Sequence, residues 1–112
     1  MKKGRRMPKY LVRANYVGAG VKGLMAEGGT KRRDAARASV ESVGGTLESF
    51  YYAFGDTDVY GVGDFPDEAS AVAWSLSVNS TGAVALNLVP LLTAEELDAA
   101  VAKTPSYRAP GS

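Results

Sequence analysis

The sequence predicts an α+β fold of the ferredoxin-like kind, with a four-stranded antiparallel sheet carrying helices on one face. Three observations support this. Segments of period two and of helical period follow one another in the order β-α-β-β-α-β, with a short helix behind. The two middle strands are joined directly by the turn Gly55-Asp56-Thr57-Asp58, so they form a hairpin. The chain of 112 residues fits one domain and not two.

The elements follow in order. In Lys9–Tyr16, Tyr10, Val12, Ala14 and Tyr16 alternate with Lys9, Leu11, Arg13 and Asn15, the pattern of a strand. Val17–Gly29 is punctuated by glycine and reads as an entry loop with a short apolar helical piece around Val21, Leu24 and Met25. Thr30 is placed to cap a helix through about Val43, with Ala36, Val40 and Val43 as its apolar stripe and Gly44-Gly45 as its stop. Thr46–Phe54 and Val59–Phe65 are the hairpin strands. A second helix runs from Asp67 to about Asn79. Ala69, Val72, Ala73, Leu76 and Val78 lie at near-helical spacing and Trp74 off that stripe, and Gly82 ends the helix. Ala83–Leu92 is the last strand. Thr93 then opens a short helix with Glu96 three residues on, the signature of a capping box. Residues 105–112 read as a tail, 7–104 as the domain and 1–6 as a basic disordered extension.

Helices can cover only one face of such a sheet, so the other face should be polar. Yet the second strand offers Phe50, Tyr52 and Phe54 to one side and Leu47, Tyr51 and Ala53 to the other. The fourth strand is apolar on both sides too. A free apolar face of that extent invites aggregation, and packing two sheets about 10 Å apart removes the hazard. The expected partner is therefore a second copy of the chain. Gly61 and Gly63, inside the third strand, fit a close approach of that copy. The alternative is that the last helix folds over the second face.

Composition excludes several chemistries. There is no cysteine and no histidine, so disulfides, thiolate nucleophiles, His-based triads and the usual zinc sites are absent. No metal and no cofactor is expected. No stretch approaches the ~20 apolar residues of a membrane span, and the basic start lacks the apolar core of a secretion signal, so a cytoplasmic protein is expected. Net charge is +1, but Lys2, Lys3, Arg5 and Arg6 supply a third of the positive charge. From Met7 onward nine Lys/Arg face twelve Asp/Glu, a net −3. The arm could serve nucleic acid or an anionic membrane. Four cations without an aromatic partner make a weak footprint, so nucleic acid ranks last among partners. Asn79-Ser80-Thr81 matches a glycosylation sequon and is read as chance.

Four motifs could carry function. Gly18-Ala19-Gly20-Val21-Lys22-Gly23 matches G-x-G-x-x-G after a strand. The chain is too short for a doubly wound domain, however, and its next strand enters a hairpin. Glu27-Gly28-Gly29-Thr30-Lys31-Arg32-Arg33 brings backbone N–H groups, a hydroxyl and three cations to a helix start. This makes Gly28, Gly29, Thr30, Arg32 and Arg33 a candidate anion seat, with an ordinary N-cap as the plainer reading. Asp56 and Asp58 could act as a carboxylate pair, or simply bond turn N–H groups. The aromatics on and near the sheet, Tyr52 and Trp74 among them, could line a ligand pocket or pack core and interface.

The run Pro8-Lys9-Tyr10-Leu11, the segment Glu27-Gly28-Gly29-Thr30 with Arg32-Arg33, the strand Phe50 to Asp56 followed by Asp58-Val59-Tyr60, and Leu91-Leu92-Thr93-Ala94-Glu95-Glu96 together resemble the GYD-domain proteins. The likeness spans Met7 to about Tyr107. The family's Gly-Tyr-Asp signature is present in part, with Gly55 and Asp58 flanking Asp56 and Thr57, and Thr57 in place of the tyrosine. The resemblance implies a ferredoxin-like dimeric α/β barrel and no established activity. Three functions stay open. The first is a homo-oligomeric small-molecule-binding or structural protein. The second is a cofactor-independent enzyme, monooxygenase- or isomerase-like, using Tyr52, Asp56, Asp58, Asn15 or Arg13 around an aromatic pocket. The third is a nucleic-acid-associated module.

Overall fold

A computed structural model describes residues 7–53 and 55–112. The elements are β1 (Lys9–Tyr16), α1 (Ala19–Glu27), α2 (Gly29–Glu41), β2 (Thr46–Tyr52), β3 (Val59–Asp64), α3 (Glu68–Ser80), β4 (Val84–Leu91) and α4 (Ala94–Ala102). All strand pairs are antiparallel and the sheet order is β2-β3-β1-β4. This is the ferredoxin-like α+β order expected from the sequence. The basic extension 1–6 and Phe54 lie outside the described residues.

One face of the sheet carries the core. Tyr10, Val12 and Ala14 of β1, Val59 of β3 and Leu86 of β4 meet Val40 of α2, Ala71 and Trp74 of α3, and Phe65. Phe65 and Val40 are fully buried. The Phe65 ring stands edge-on to Tyr10 at 5.8 Å and tilted against Trp74 at 5.6 Å, distances at which aromatic pairs attract beyond their buried area.

The crossover from β1 to β2 departs in part from expectation. The helical piece expected around Val21, Leu24 and Met25 is present and extends through the glycine-rich run as the nine-residue helix α1. Gly18, at φ 52°, makes the turn into it. Gly20 lets α1 close on the start of β4, because a Cβ there would stand 2.0 Å from the Ala83 carbonyl oxygen. Gly28, at φ 86°, ends α1 and serves as the N-cap of α2. Thr30 is therefore not the cap, and no side chain caps α2.

Helix α3 is rotated relative to the expected stripe. Asp67 caps it by accepting the Ser70 N–H at 2.8 Å. Ala71 and Trp74 are buried and Val78 packs on the core, whereas Val72 and Leu76 are 53% and 65% exposed. Apolar residues and serines are interspersed all round the helix, so its pattern carries little direction. Trp74 decides the orientation by filling the space beside Phe65.

A β-bulge between Leu47 and Ser49 shifts the β2 register. Leu47 pairs with Gly63 and Phe50 with Gly61, so both apolar side chains reach the covered face instead of opposite faces. Gly61 and Gly63 lie opposite Val12 and Tyr10 and share that covered face. Their glycines make room within the subunit and not for a second copy. A Cβ at Gly61 would meet the Ser49 oxygen at 2.9 Å, and one at Gly63 the Phe65 ring at 3.4 Å.

The other face is open. Leu11 pairs with Val62 and Val89, forming an apolar row across three strands. Tyr51 and Tyr60 lie opposite each other and are exposed. Lys9 crosses the rim with ion pairs to Glu48 at 2.6 Å and Asp64 at 2.9 Å. Helix α4 does not seal this face. It has the expected Thr93/Glu96 capping box, yet none of its residues is buried, and Leu97 and Val101 stay exposed. The β4 edge is blunted: the Asn79 side chain accepts the Leu86 N–H at 2.7 Å and donates to the Leu86 carbonyl at 3.1 Å, and Pro90 adds no donor. Among the described residues, no helix is long and apolar enough to cross a membrane.

Candidate functional site

A cavity of about 550 Å³ lies between the sheet and helices α1, α2 and α3. Its floor is Val12, Ala14 and Tyr16 of β1 with Phe50, Val59, Val84 and Leu86. The period-two pattern of β1 puts its first three on one face. The walls are built largely of small residues: Gly20 and Gly23 of α1, Ala35 and Ala36 of α2, and Ala83 ahead of β4. Small side chains hold the helices over the sheet without filling the gap.

Trp74 closes the inner end. Its indole N–H donates to Ser39 Oγ at 2.8 Å, tying α3 to α2. Ser39 in turn donates to the Ala36 carbonyl at 2.7 Å. Trp74 thus forms part of the cavity wall, while Tyr52 does not line the cavity and stands beside two residues that do, Tyr16 and Arg32. The Tyr52 hydroxyl donates to the Gly29 carbonyl at 2.8 Å and fixes β2 to the first residue of α2. Burial first, and then the neighbouring Tyr16 hydroxyl, push the Tyr52 phenol up to about 12, with Arg32 and Arg33 pulling the other way. At neutral pH it is a proton-bearing phenol and not a base.

Arg32 and Glu27 line the same end of the cavity. Arg32 Nη1 donates to Glu27 Oε1 at 3.2 Å. Burial alone would lower the Arg32 pKa, but hydrogen bonding to Glu27 and to Tyr16 outweighs it, so the net shift is upward. Tyr16, Glu27 and Arg32 therefore form one polar cluster in the lining of a largely apolar space, with Tyr52 beside them.

The remaining sequence candidates separate. Within the anion seat, the Gly28 N–H donates to the Leu24 carbonyl at 2.7 Å and so belongs to the end of α1. Gly29 supports the Tyr52 ring and hydroxyl. Thr30 is exposed, and Arg33 pairs with Asp34 at 3.1 Å. Only Arg32 of that set lines the cavity. Asn15 and Asp58 both bond across to backbone N–H groups. Asn15 Oδ1 accepts the Asp58 N–H at 2.8 Å, and Asp58 Oδ2 accepts the Tyr16 N–H at 3.0 Å. Together they clamp the β2–β3 turn to the end of β1, with the Asp58 carboxylate bonding a β1 N–H and not one of the turn. Thr57 between the two aspartates is buried, Asp56 is exposed, and Arg13 is exposed on the open sheet face, opposite Tyr60 and Asn87.

Tyr16, one of the sheet aromatics, and Glu27, the residue ahead of the anion-seat glycines, join Arg32 in the lining. The parity of Tyr16 with Val12 and Ala14 was the available signal for the first. The second depends on α1 being a helix.

A family model described as GYD domain matches residues 10–101. No curated protein matches the chain. A solved structure of a protein of unknown function from Nitrosomonas europaea is similar at 20% identity and a TM-score of 0.41, over 93% of this chain and 100% of that one.

Proposed function

The chain belongs to the GYD-domain family, and from that footing we propose that it is a homo-oligomeric small-molecule-binding protein. The ligand sits between sheet and helices, and a second copy sits on the open sheet face, as in a dimeric α/β barrel. The observation that carries the binding reading is the cavity itself. About 550 Å³ falls inside the 300–1,000 Å³ typical of ligand sites. Its largely apolar lining with a few convergent polar groups is the usual composition of such sites.

The oligomer reading rests on the Leu11–Val62–Val89 row and the exposed Tyr51 and Tyr60. The blunted β4 edge favours a face over an edge as the contact surface. Sedimentation at micromolar concentration is expected to give a dimer or larger, and Val62→Lys is expected to give a folded monomer. A wild-type monomer would overturn the oligomer reading. Native mass spectrometry of gently purified protein is expected to retain an organic molecule, which Ala36→Phe would expel.

The second reading, a cofactor-independent enzyme, draws on Tyr52 as a proton donor beside the lining residues Tyr16 and Arg32. Asp56, Asp58 and Arg13 do not line the cavity. The carboxylate left to act as base there is Glu27, and it is engaged by Arg32. Oxygen uptake or isomerisation that Glu27→Gln abolishes would favour this reading over binding alone.

A further inference from the structure

We propose that the cavity selects an apolar, ring-sized organic acid whose single carboxylate is received by Arg32 at the mouth. This rests on the binding reading above and names the ligand class for the same site.

The case begins with the polar groups in the walls. Of the four Ser and Thr hydroxyls lining the cavity, those of Ser39, Ser42 and Thr81 are committed to their own helices, and Ser77 is the fourth. Ser39 Oγ donates to the Ala36 carbonyl and accepts from Trp74, Ser42 Oγ donates to the Ser39 carbonyl at 2.6 Å, and Thr81 Oγ1 donates to the Val78 carbonyl at 2.8 Å. Bonding of this kind satisfies a hydroxyl locally and leaves little for a ligand. The body of the cavity is therefore largely apolar, bounded by Val12, Phe50, Val59, Trp74, Val78 and Leu86. A polar group placed there would lose its hydration without recompense.

Polar recognition is concentrated at the other end. Arg32 sits on the first turns of α2, where the helix dipole is positive. A guanidinium offers five N–H donors, and Glu27 engages Nη1. The planar fork suits a carboxylate in two-point contact. Tyr16, beside Arg32, adds a phenol hydroxyl. Glu27 is the counterweight. Its side chain is 48% exposed against 33% for Arg32, so it lies on the solvent side of the pair and competes with an incoming anion. Arg33 does not add to the field at full strength, because Asp34 pairs with it.

Size fixes the rest. An apolar cavity of about 150 Å³ accepts a benzene, so a space more than three times larger takes a fused-ring or substituted aromatic skeleton.

The test is calorimetric titration of the full chain with three probes of one skeleton: naphthoate, its neutral methyl ester, and naphthylmethylammonium. Naphthoate is expected to bind about tenfold more tightly than the ester, the value of one charge-assisted contact, and the ammonium most weakly. Arg32→Gln should erase the gap between acid and ester. Arg32→Lys should restore part of it, and Glu27→Gln should strengthen naphthoate binding a few-fold. Circular dichroism checks that each variant folds. Equal affinity for acid and ester, or a preference for the ammonium, overturns the ligand class and leaves the cavity as a binding site. If none of the three binds and the fluorescence of Trp74, the single tryptophan, does not respond, the binding reading falls as well.

Discussion

At one end of the layer between sheet and helices, Tyr10, Phe65 and Trp74 interlock with Val40 and Ala71. At the other, Ala14, Ala35, Ala36 and Ala83 stand around an open space of about 550 Å³. The same strand β1 floors both ends, and helices α2 and α3 border both. What differs is side-chain volume. The aromatic end holds the helices at a fixed height over the sheet, and the alanines and glycines of the other end are too small to fill the gap at that height. The cavity follows from a close-packed region placed beside a sparse one.

Substitutions can break or sharpen that contrast. The largest effect is expected at the packed end. Phe65→Ala removes a fully buried ring and should cost about 3–5 kcal/mol in urea unfolding. At the sparse end, Gly20→Ala should cost roughly 1–3 kcal/mol, because its Cβ runs into backbone at Ala83. Asp58→Ala removes the acceptor of the Tyr16 N–H and should cost about 1–2 kcal/mol, with faster amide exchange at Tyr16 by NMR.

Tyr52→Phe loses its bond to the Gly29 carbonyl, worth about 1 kcal/mol at neutral pH. It also changes the alkaline limb. The folded phenol has its pKa raised from 10.0 to about 12, so its contribution is complete below pH 10 and is lost as pH rises towards 12. Melting temperature should fall less steeply across that window in Tyr52→Phe than in wild type, and equal slopes would remove Tyr52 from the cluster. The smallest effect is expected from Ala36→Leu, which adds volume where space exists. Stability should move by less than about 1 kcal/mol while ligand affinity drops. A large destabilisation there would mean the sparse end is packed after all.

The strands and the hairpin were legible because period two survives on the face that matters, from Tyr10 to Tyr16 and from Val59 to Gly63. Where the pattern was ambiguous, packing decided. Gly18, Gly20 and Gly23 argue against a helix by propensity, yet α1 forms because Gly20 permits close contact with Ala83. Val72 and Leu76 looked as apolar as Ala71 and Val78, and only the fit of Trp74 beside Phe65 orients α3. One bulge moved Leu47 across the sheet. The site suffered from the same gap. Arg32, Tyr52 and Trp74 were recognisable as residue types, but Tyr16, Glu27 and Arg32 meet only because α1 brings Glu27 back towards the sheet. Asn15 and Asp58 looked free to meet a ligand and instead hold each other's strands.

The position of β1 in the sheet also bears on how the chain is made. This first strand pairs on one side with β3, which ends at Asp64, and on the other with β4, which ends at Leu91. During synthesis at ~5–20 residues per second, the β4-facing edge of β1 waits roughly 1–5 s after β3 has emerged. Through that interval a strand carrying Tyr10, Leu11 and Val12 presents unpaired backbone to any neighbouring nascent chain. The finished protein has β4 over that edge, with Asn79 and Pro90 guarding the new one. The vulnerable period for this fold is thus its birth, and slowing translation between residues 65 and 84 should raise its loss to aggregates.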